Sequence, residues 1–239
     1  MPFPPRRAQL LSRIQRNYQT KQRLLRIAGL ELDFLQIEDP DRVLDQVAEQ
    51  EDRFEKLNGR RTPGDELHLP YWAELWDSAT GIAQHLIRTH DRSKPLSVID
   101  LGCGMGLAGT VAARLGMNVL FADLEPPALL FARLNSLPDA GRVRTRRLNW
   151  QTDRLYERFG LILGADILYE RKQWDFLEPF WRNHLAPGGR VLLGEPGRQT
   201  GDLFINWIAP RGWRLTRHEE VVETRPVPIR LFELQPERA

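Results

Sequence analysis

The sequence predicts an α/β fold in which helices cover both faces of a mostly parallel sheet. From residue 70 onward, strand-like apolar runs alternate with helix-length segments, and this alternation implies right-handed crossovers between parallel strands. A glycine cluster follows the first of these strands, at a place where doubly wound sheets bind ligands. The 239 residues, 41% of them apolar, are enough for one large domain and an appendage.

The first 65 residues are predicted to form a helical N-terminal extension. Residues 8–28 carry apolar side chains at helix-like spacing among arginines, which indicates an amphipathic basic helix. A second helix is predicted over residues 41–57, followed by a linker over 60–69. The basic helix is expected to dock on the domain or to contact a partner. Nucleic-acid binding is not expected, because the net charge of the chain is only +2.

The domain is predicted to span residues 66–239. Five strands are predicted over 96–101, 117–122, 142–148, 160–165 and 189–194. Helices are predicted over 105–115, 126–137, 170–185 and 201–209. Two late strands, near 213–222 and 228–234, are expected to form a terminal hairpin. The many arginines of the third strand suit the edge of a sheet, where charges prevent pairing with another chain.

The glycine cluster runs from Asp100 to Gly109. Gly104, Gly106 and Gly109 satisfy the G-x-G-x-x-G pattern of dinucleotide sites, with Asp123 about twenty residues on. A dinucleotide pyrophosphate would lie on the helix N-terminus, so an NAD site is one interpretation. S-adenosylmethionine (SAM) has no phosphate. It needs a turn that accepts its amino acid moiety, and the Asp100 carboxylate can hold the cationic amino group.

Other candidate residues lie at the ends of the following strands. Asp123 ends the second strand, where its two oxygens could accept both ribose hydroxyls or cap the next helix. Asn149 and Trp150 follow the third strand, and Trp150 could pack on an adenine ring or belong to an ordinary lid. Asp166 ends the fourth strand, with Tyr169 one helical turn further on.

Three motifs resemble those of known methyltransferases. The run Val98–Gly106 resembles motif I of the seven-strand (class I) SAM-dependent methyltransferases. The Asp-x-x-Tyr sequence at Asp166 resembles the signature of the protein-lysine methyltransferases of methyltransferase family 16, and the segment Pro70–Ala79 is also similar to that family. The run Leu192–Arg198 resembles a Gly-Asp-Pro-Gly-Arg segment in members that methylate the β-subunit of the electron transfer flavoprotein, with Glu195 in place of the Asp.

The resemblance implies a Rossmann-like class I fold with a seven-stranded sheet, SAM as cofactor, S-adenosylhomocysteine (SAH) as product and a protein lysine as substrate. It places Asp166 and Tyr169 at the methyl-transfer centre, where Asp166 would accept a hydrogen bond from the amine and Tyr169 would shape its entry. The residues expected to contact the cofactor are Trp76, Asp100, Gly102, Cys103, Gly104, Gly106, Leu107, Asp123, Leu124, Asn149, Trp150 and Ala165.

Composition narrows the remaining possibilities. The single cysteine excludes an intramolecular disulfide and a cysteine-based zinc site, and the five histidines show no metal-ligand spacing, so no metal is expected. No apolar run reaches the roughly 18 residues of a membrane span, and we expect a cytoplasmic monomer. The alternatives are a small-molecule N- or O-methyltransferase, a non-catalytic SAM-binding or RNA-associated scaffold and, last, an NAD-dependent oxidoreductase.

Overall fold

A computed structural model describes residues 3–58, 69–91 and 96–237, and its centre is a seven-stranded sheet with the order β5-β4-β3-β6-β7-β9-β8. The strands are β3 (Ser97–Leu101), β4 (Asn118–Asp123), β5 (Val143–Arg147), β6 (Phe159–Ala165), β7 (Leu185–Glu195), β8 (Trp213–Glu220) and β9 (Ile229–Pro236). The pairs among β5, β4, β3, β6 and β7 are parallel, whereas β9 runs antiparallel to both of its neighbours. The predicted parallel sheet, terminal hairpin and edge position of the arginine-rich strand are confirmed.

Helices bury both faces of this sheet. They are α3 (Asp77–Thr89), α4 (Leu107–Arg114) and α5 (Pro126–Asn135) on one face, and α6 (Trp174–His184) and α7 (Gln199–Ile208) on the other. Because successive side chains of a strand point to opposite faces, Val98 joins the core under α3 and α4 while Ile99 joins the core under α6 and α7. Strands buried on both faces explain the nearly continuous apolar runs in the sequence.

The N-terminal part contains a β-hairpin as well as two helices, so the prediction of one helix over 8–28 is wrong beyond residue 15. The order is α1 (Phe3–Gln15), β1 (Thr20–Ile27), β2 (Leu30–Ile37) and α2 (Pro40–Asn58). Ala28 and Gly29 both have positive φ in the two-residue turn between the strands, as a tight hairpin turn requires. Pairing of β1 with β2 therefore overrides the helix-like spacing of the leucines in β1.

The N-terminal part packs on the sheet domain. Leu10, Ile14 and Phe34 are buried in the same core as α5. Asn135 at the end of α5 joins the two parts, because its side chain accepts a hydrogen bond from the Leu35 amide at 2.8 Å and donates one to the Leu35 carbonyl at 3.0 Å. The packing of α1 against α5 gives a structural basis for the docking role that was expected of the N-terminal helix.

Two further expectations concern the junction of these parts. The linker predicted over 60–69 and the domain boundary between residues 65 and 66 fall almost entirely on 59–68, outside the described residues.

The helix α3 was not predicted, although Ile82 and Leu86 lie four residues apart and are both buried. Among the described residues, no helix combines the length and the apolar character that crossing a membrane requires.

Candidate active site

A cavity of about 440 Å³ lies at the C-terminal ends of β3, β4 and β6, the edge at which doubly wound sheets bind ligands. Thirteen of the fourteen predicted site residues line it: Trp76, Gly102, Cys103, Gly104, Gly106, Leu107, Asp123, Leu124, Asn149, Trp150, Ala165, Asp166 and Tyr169. The chain between β3 and α4 forms its floor, and the segment before α3 forms one wall. Residues separated by nearly a hundred positions in the sequence thus meet in one place.

The glycines of the β3–α4 turn and of the first turn of α4 have two different roles. Gly102 and Gly104 have φ values of +65° and +52° and lie on the cavity, where the missing side chains leave the backbone accessible to a ligand. A Cβ atom on Gly106 would lie 2.7 Å from the Cβ of Ala132, and one on Gly109 would lie 2.4 Å from the ring of Phe121. These two glycines let α4 approach α5 and β4 closely.

Asp100 is the predicted site residue that does not line the cavity. Its side chain is 1% exposed, and its Oδ2 accepts a hydrogen bond from the Gly109 amide at 2.8 Å. Burial raises the pKa of this carboxyl to about 7, against the opposing effect of that hydrogen bond. In this structure Asp100 anchors the first turn of α4, and it is not positioned to meet a ligand amino group directly.

Asp123 lies on the cavity at the end of β4 and already holds two backbone amides. Its Oδ2 accepts a hydrogen bond from Gly104 and its Oδ1 accepts one from Glu125, each at 2.9 Å. Burial raises the pKa of the carboxyl to about 6, although both hydrogen bonds favour the ionised form. A carboxylate has about four acceptor positions, so ribose binding and helix capping are compatible roles for Asp123.

Asn149 and Trp150 follow β5 and line the cavity. The indole of Trp150 donates a hydrogen bond to Oε1 of Gln173 at 3.1 Å, and its ring edge lies next to Gly102. The side-chain oxygen of Asn149 accepts a hydrogen bond from the Gln151 amide, which stabilises the turn. The hydrogen bond to Gln173 therefore fixes the orientation of the Trp150 ring beside the glycine turn.

Asp166 is held in an unusual conformation at the end of β6. Its φ is +57°, a left-handed value that Asn and Asp tolerate better than other non-glycine residues. Its amide donates a hydrogen bond to the Gly194 carbonyl at 2.9 Å, and its side chain is 6% exposed. This backbone conformation places the Asp166 carboxylate on the cavity wall.

Arg198 binds the Asp166 carboxylate and was not predicted as a site residue. Its two terminal nitrogens donate hydrogen bonds to Oδ1 and Oδ2 at 2.6 and 3.1 Å. Burial raises the pKa of Asp166 to about 6, and the charge of Arg198 opposes that rise. Glu195 in turn accepts hydrogen bonds from the Arg198 amide, the Gly197 amide and the Arg230 side chain. The buried Glu195 thus fixes the loop that carries Arg198.

Aromatic side chains surround the mouth of the cavity. The rings of Tyr71 and Tyr169 lie 5.3 Å apart edge to face, and both are partly exposed. Tyr71 also lies 6.3 Å from Trp76, whose indole donates a hydrogen bond to the Tyr71 carbonyl. The Arg198 guanidinium lies 5.5 Å from the Trp76 ring centroid. Burial raises the pKa of Tyr169 to about 12, so its hydroxyl stays neutral at physiological pH.

Arg198, Tyr71 and Gln173 also line the cavity and were not among the predicted site residues. Arg198 closes the Leu192–Arg198 segment and Tyr71 belongs to the Pro70–Ala79 segment, so both motifs contained a signal that was not used. Gln173 precedes α6 in no recognisable motif, and only the folded chain brings it to Trp150.

Comparisons with known proteins agree with this geometry. The sequence pattern of the lysine methyltransferase family matches residues 71–208. The chain is 33% identical over 136 residues to the electron transfer flavoprotein beta subunit lysine methyltransferase of Danio rerio, covering 54% of this chain and 51% of that protein. It is 38% identical over 129 residues to the protein N-lysine methyltransferase METTL21A of Danio rerio, covering 51% and 58%. The chain therefore matches about half the length of these relatives.

Solved structures with a similar fold are more distant in sequence. The glycopeptide N-methyltransferase MtfA in complex with SAH superposes with a TM-score of 0.58 at 15% identity, covering 76% of this chain and 95% of that one. The ribosomal protein L11 methylase of Lactobacillus delbrueckii subsp. bulgaricus gives 0.55 at 19% identity, covering 68% and 79%. These similarities confirm the Rossmann-like class I methyltransferase fold. Because the family pattern extends over more than half of the 239 residues, the chain belongs to the lysine methyltransferase family.

Proposed function

We propose that this protein transfers a methyl group from SAM to the ε-amine of a lysine in a protein substrate. The observation that carries the proposal is that one cavity joins the glycine turn after β3 to Asp166 and Tyr169. Family membership and the lysine-methylating relatives support the choice of lysine. A cytoplasmic location, a monomeric state and the absence of nucleic-acid binding stay predictions.

The residues that line the cavity fit SAM as the cofactor. A cavity of about 440 Å³ lies within the range of about 300–1,000 Å³ typical of small-molecule sites. Gly102 and Gly104 leave room for close approach of an amino acid moiety, and Asp123 offers acceptor positions for ribose hydroxyls. Trp150 would lie against the adenine. SAM, when bound, supplies an electrophilic methyl group on a cationic sulfur.

The amine must reach the reaction centre uncharged, because only the neutral nitrogen has the lone pair that attacks the methyl carbon. A free lysine, with a pKa of about 10.4, is almost wholly protonated at neutral pH. Tyr71, Tyr169 and Trp76 offer aromatic faces that attract an incoming ammonium. Deeper in the cavity, burial disfavours the charged ammonium, so the amine releases its proton to solvent before it reacts.

Asp166 would then hold the amine in line with the bond to be broken. Both of its oxygens accept hydrogen bonds from Arg198, yet each keeps a free acceptor position for an amine N–H. As the new N–C bond forms and the S–C bond breaks, the nitrogen gains positive charge, which the carboxylate stabilises. Tyr169, three residues further on, would narrow the entry so that a long unbranched side chain fits.

The test combines binding and turnover. Calorimetry should show SAH binding, and tighter binding of NADH would contradict the cofactor assignment. Labelled SAM should transfer its methyl group to proteins of a lysate, with mass spectrometry locating it on lysine. Transfer to free small molecules instead would favour a small-molecule methyltransferase, and SAH binding without any transfer would favour a scaffold.

A further inference from the structure

A second cluster of chemically active side chains lies outside the cavity, between α3 and the β8–β9 hairpin. His85 comes from α3, His218 from β8 and Glu233 from β9. One ring nitrogen of each histidine and a carboxylate oxygen of Glu233 all lie within 4.8 Å of one another. The two imidazole rings are 4.6 Å apart. No local spacing in the sequence indicates this cluster, because the two histidines are distant along the chain.

Strand geometry explains why these groups meet. His218 pairs with Leu231 and Thr216 pairs with Glu233, so His218 and Glu233 are diagonal neighbours on one face of the hairpin. That face carries Leu231, which is buried in the core formed with α3. The sheet and the helix therefore present the three side chains to one small volume between them.

One nitrogen of His218 lacks a partner in the protein itself. Nε2 of His218 is buried and has no hydrogen-bond partner among the residues that the structure describes. A buried polar atom without a partner is costly, and such an atom calls for a ligand or water.

Glu220 completes the surroundings of the cluster. Its Oε1 lies 3.3 Å from Nδ1 of His85, and its other oxygen accepts a hydrogen bond from Arg88. A carboxylate beside an imidazole is the usual arrangement that orients metal-binding histidines. Nε of Arg190 lies 3.4 Å from an oxygen of Glu233, so one cation balances each carboxylate.

We propose that His85, His218 and Glu233 bind one divalent transition-metal ion, with Glu220 orienting His85. Two imidazoles and one carboxylate are a donor set that suits Zn²⁺, and water supplies the fourth ligand. The ion cross-links α3 to the β8–β9 hairpin. Since α3 begins immediately after Trp76, the cross-link fixes one wall of the cavity while lying outside it.

The experiment uses the full-length protein after treatment with a chelator. Calorimetric titration with Zn²⁺ should show one site per chain, and saturation should raise the Tm. Titration with Co²⁺ should give visible absorption bands of the strength that tetrahedral nitrogen and oxygen ligation produces. His85→Gln and His218→Gln should each weaken Zn²⁺ binding by more than about a hundredfold, and Glu220→Gln by about ten- to a hundredfold.

Glu219→Gln is the matched control, because Glu219 is exposed and lies on the opposite face of β8. It should leave Zn²⁺ affinity unchanged. Failure of the unaltered protein to bind Zn²⁺ at one site per chain would overturn the proposal. So would histidine variants that bind Zn²⁺ as tightly as the unaltered protein does. Circular dichroism of each metal-free variant verifies folding. If one histidine variant does not fold, the other variant and the Co²⁺ spectrum decide the question.

Discussion

Arg198 binds Asp166 through a bidentate ion pair, in which the two terminal guanidinium nitrogens each donate a hydrogen bond to one carboxylate oxygen. Such a fork fixes the plane of the carboxylate as well as its position. The positive φ of Asp166 fixes the same group from the backbone side. The side chain proposed to receive the lysine amine is therefore preorganised, and its chemistry depends on a residue 32 positions further along the chain.

Asp166→Asn is the sharpest test of the methyl-transfer centre. Asn tolerates the left-handed conformation, whereas Ala adds backbone strain on the order of 1–2 kcal/mol, so Asn isolates the loss of charge. Methylation should fall by about a hundredfold or more, because the amine loses its anionic acceptor. SAH affinity, measured by calorimetry, should stay nearly the same. Near-normal turnover would reduce Asp166 to a structural role.

Tyr169→Phe should have a milder effect. The ring that packs against Tyr71 is kept and only the hydroxyl is lost. Turnover should fall less than in Asp166→Asn, and the change should appear mainly in KM for the protein substrate. An equal or larger loss of kcat than in Asp166→Asn would show that the Tyr169 hydroxyl takes part in the chemistry.

The activity should rise with pH through about 6, because Asp166 must be ionised and burial raises its pKa to that value. Arg198 opposes the rise, so Arg198→Gln should move this limb of the kcat/KM profile to higher pH. The profile of the unaltered protein is the reference. A limb at the same pH in both proteins would show that another group controls it.

The sequence predicted the sheet and most of the cavity because both depend on local patterns. Strand–glycine–helix runs place Gly102, Gly104 and Asp123 at one edge of a parallel sheet once the strands alternate with helices. The hairpin of β1 and β2 was missed because helix-like and strand-like spacing coexist there, and pairing decided between them. The Arg198–Asp166 pair and the histidine cluster join side chains from distant segments, and no local pattern predicts that those side chains meet.

Asp123→Ala should weaken SAH binding by about 1–3 kcal/mol, because buried ribose hydroxyls would lose their acceptor. The same change frees the amides of Gly104 and Glu125, so part of the loss would come from a looser glycine turn. Asp123→Asn separates the two effects, since it keeps one acceptor oxygen. Calorimetry on both variants measures the loss. An unchanged dissociation constant in Asp123→Ala would contradict the ribose assignment.

Gly106→Ala should destabilise the fold more than Gly116→Ala. Both glycines have positive φ, +84° and +97°, so both substitutions add similar backbone strain. A Cβ on Gly106 also meets Ala132 at 2.7 Å, whereas one on Gly116 meets nothing within 4 Å. The overpacking should cost Gly106→Ala about 1–3 kcal/mol beyond its control, measured by urea denaturation. Equal stability of the two variants would show that α4 moves away freely.

Asp100→Asn should change how stability depends on pH. Burial raises the folded-state pKa of Asp100 to about 7, well above the value of about 3.9 expected when the chain is unfolded. Between these values the folded chain holds a proton that the unfolded chain has released. Its contribution to the free energy of unfolding is therefore full below about pH 4 and is lost as the pH rises through 7, at about 1.4 kcal/mol per pH unit.

In Asp100→Asn this contribution disappears, while the amide oxygen can still accept the hydrogen bond from Gly109. Urea denaturation between pH 5 and 8 should therefore show a steeper loss of stability in the unaltered protein than in the variant. The variant should be relatively more stable at pH 8 than at pH 5, because it carries no buried charge. Parallel curves for the two proteins would mean that Asp100 keeps an ordinary pKa, and its carboxylate would then be ionised inside the core.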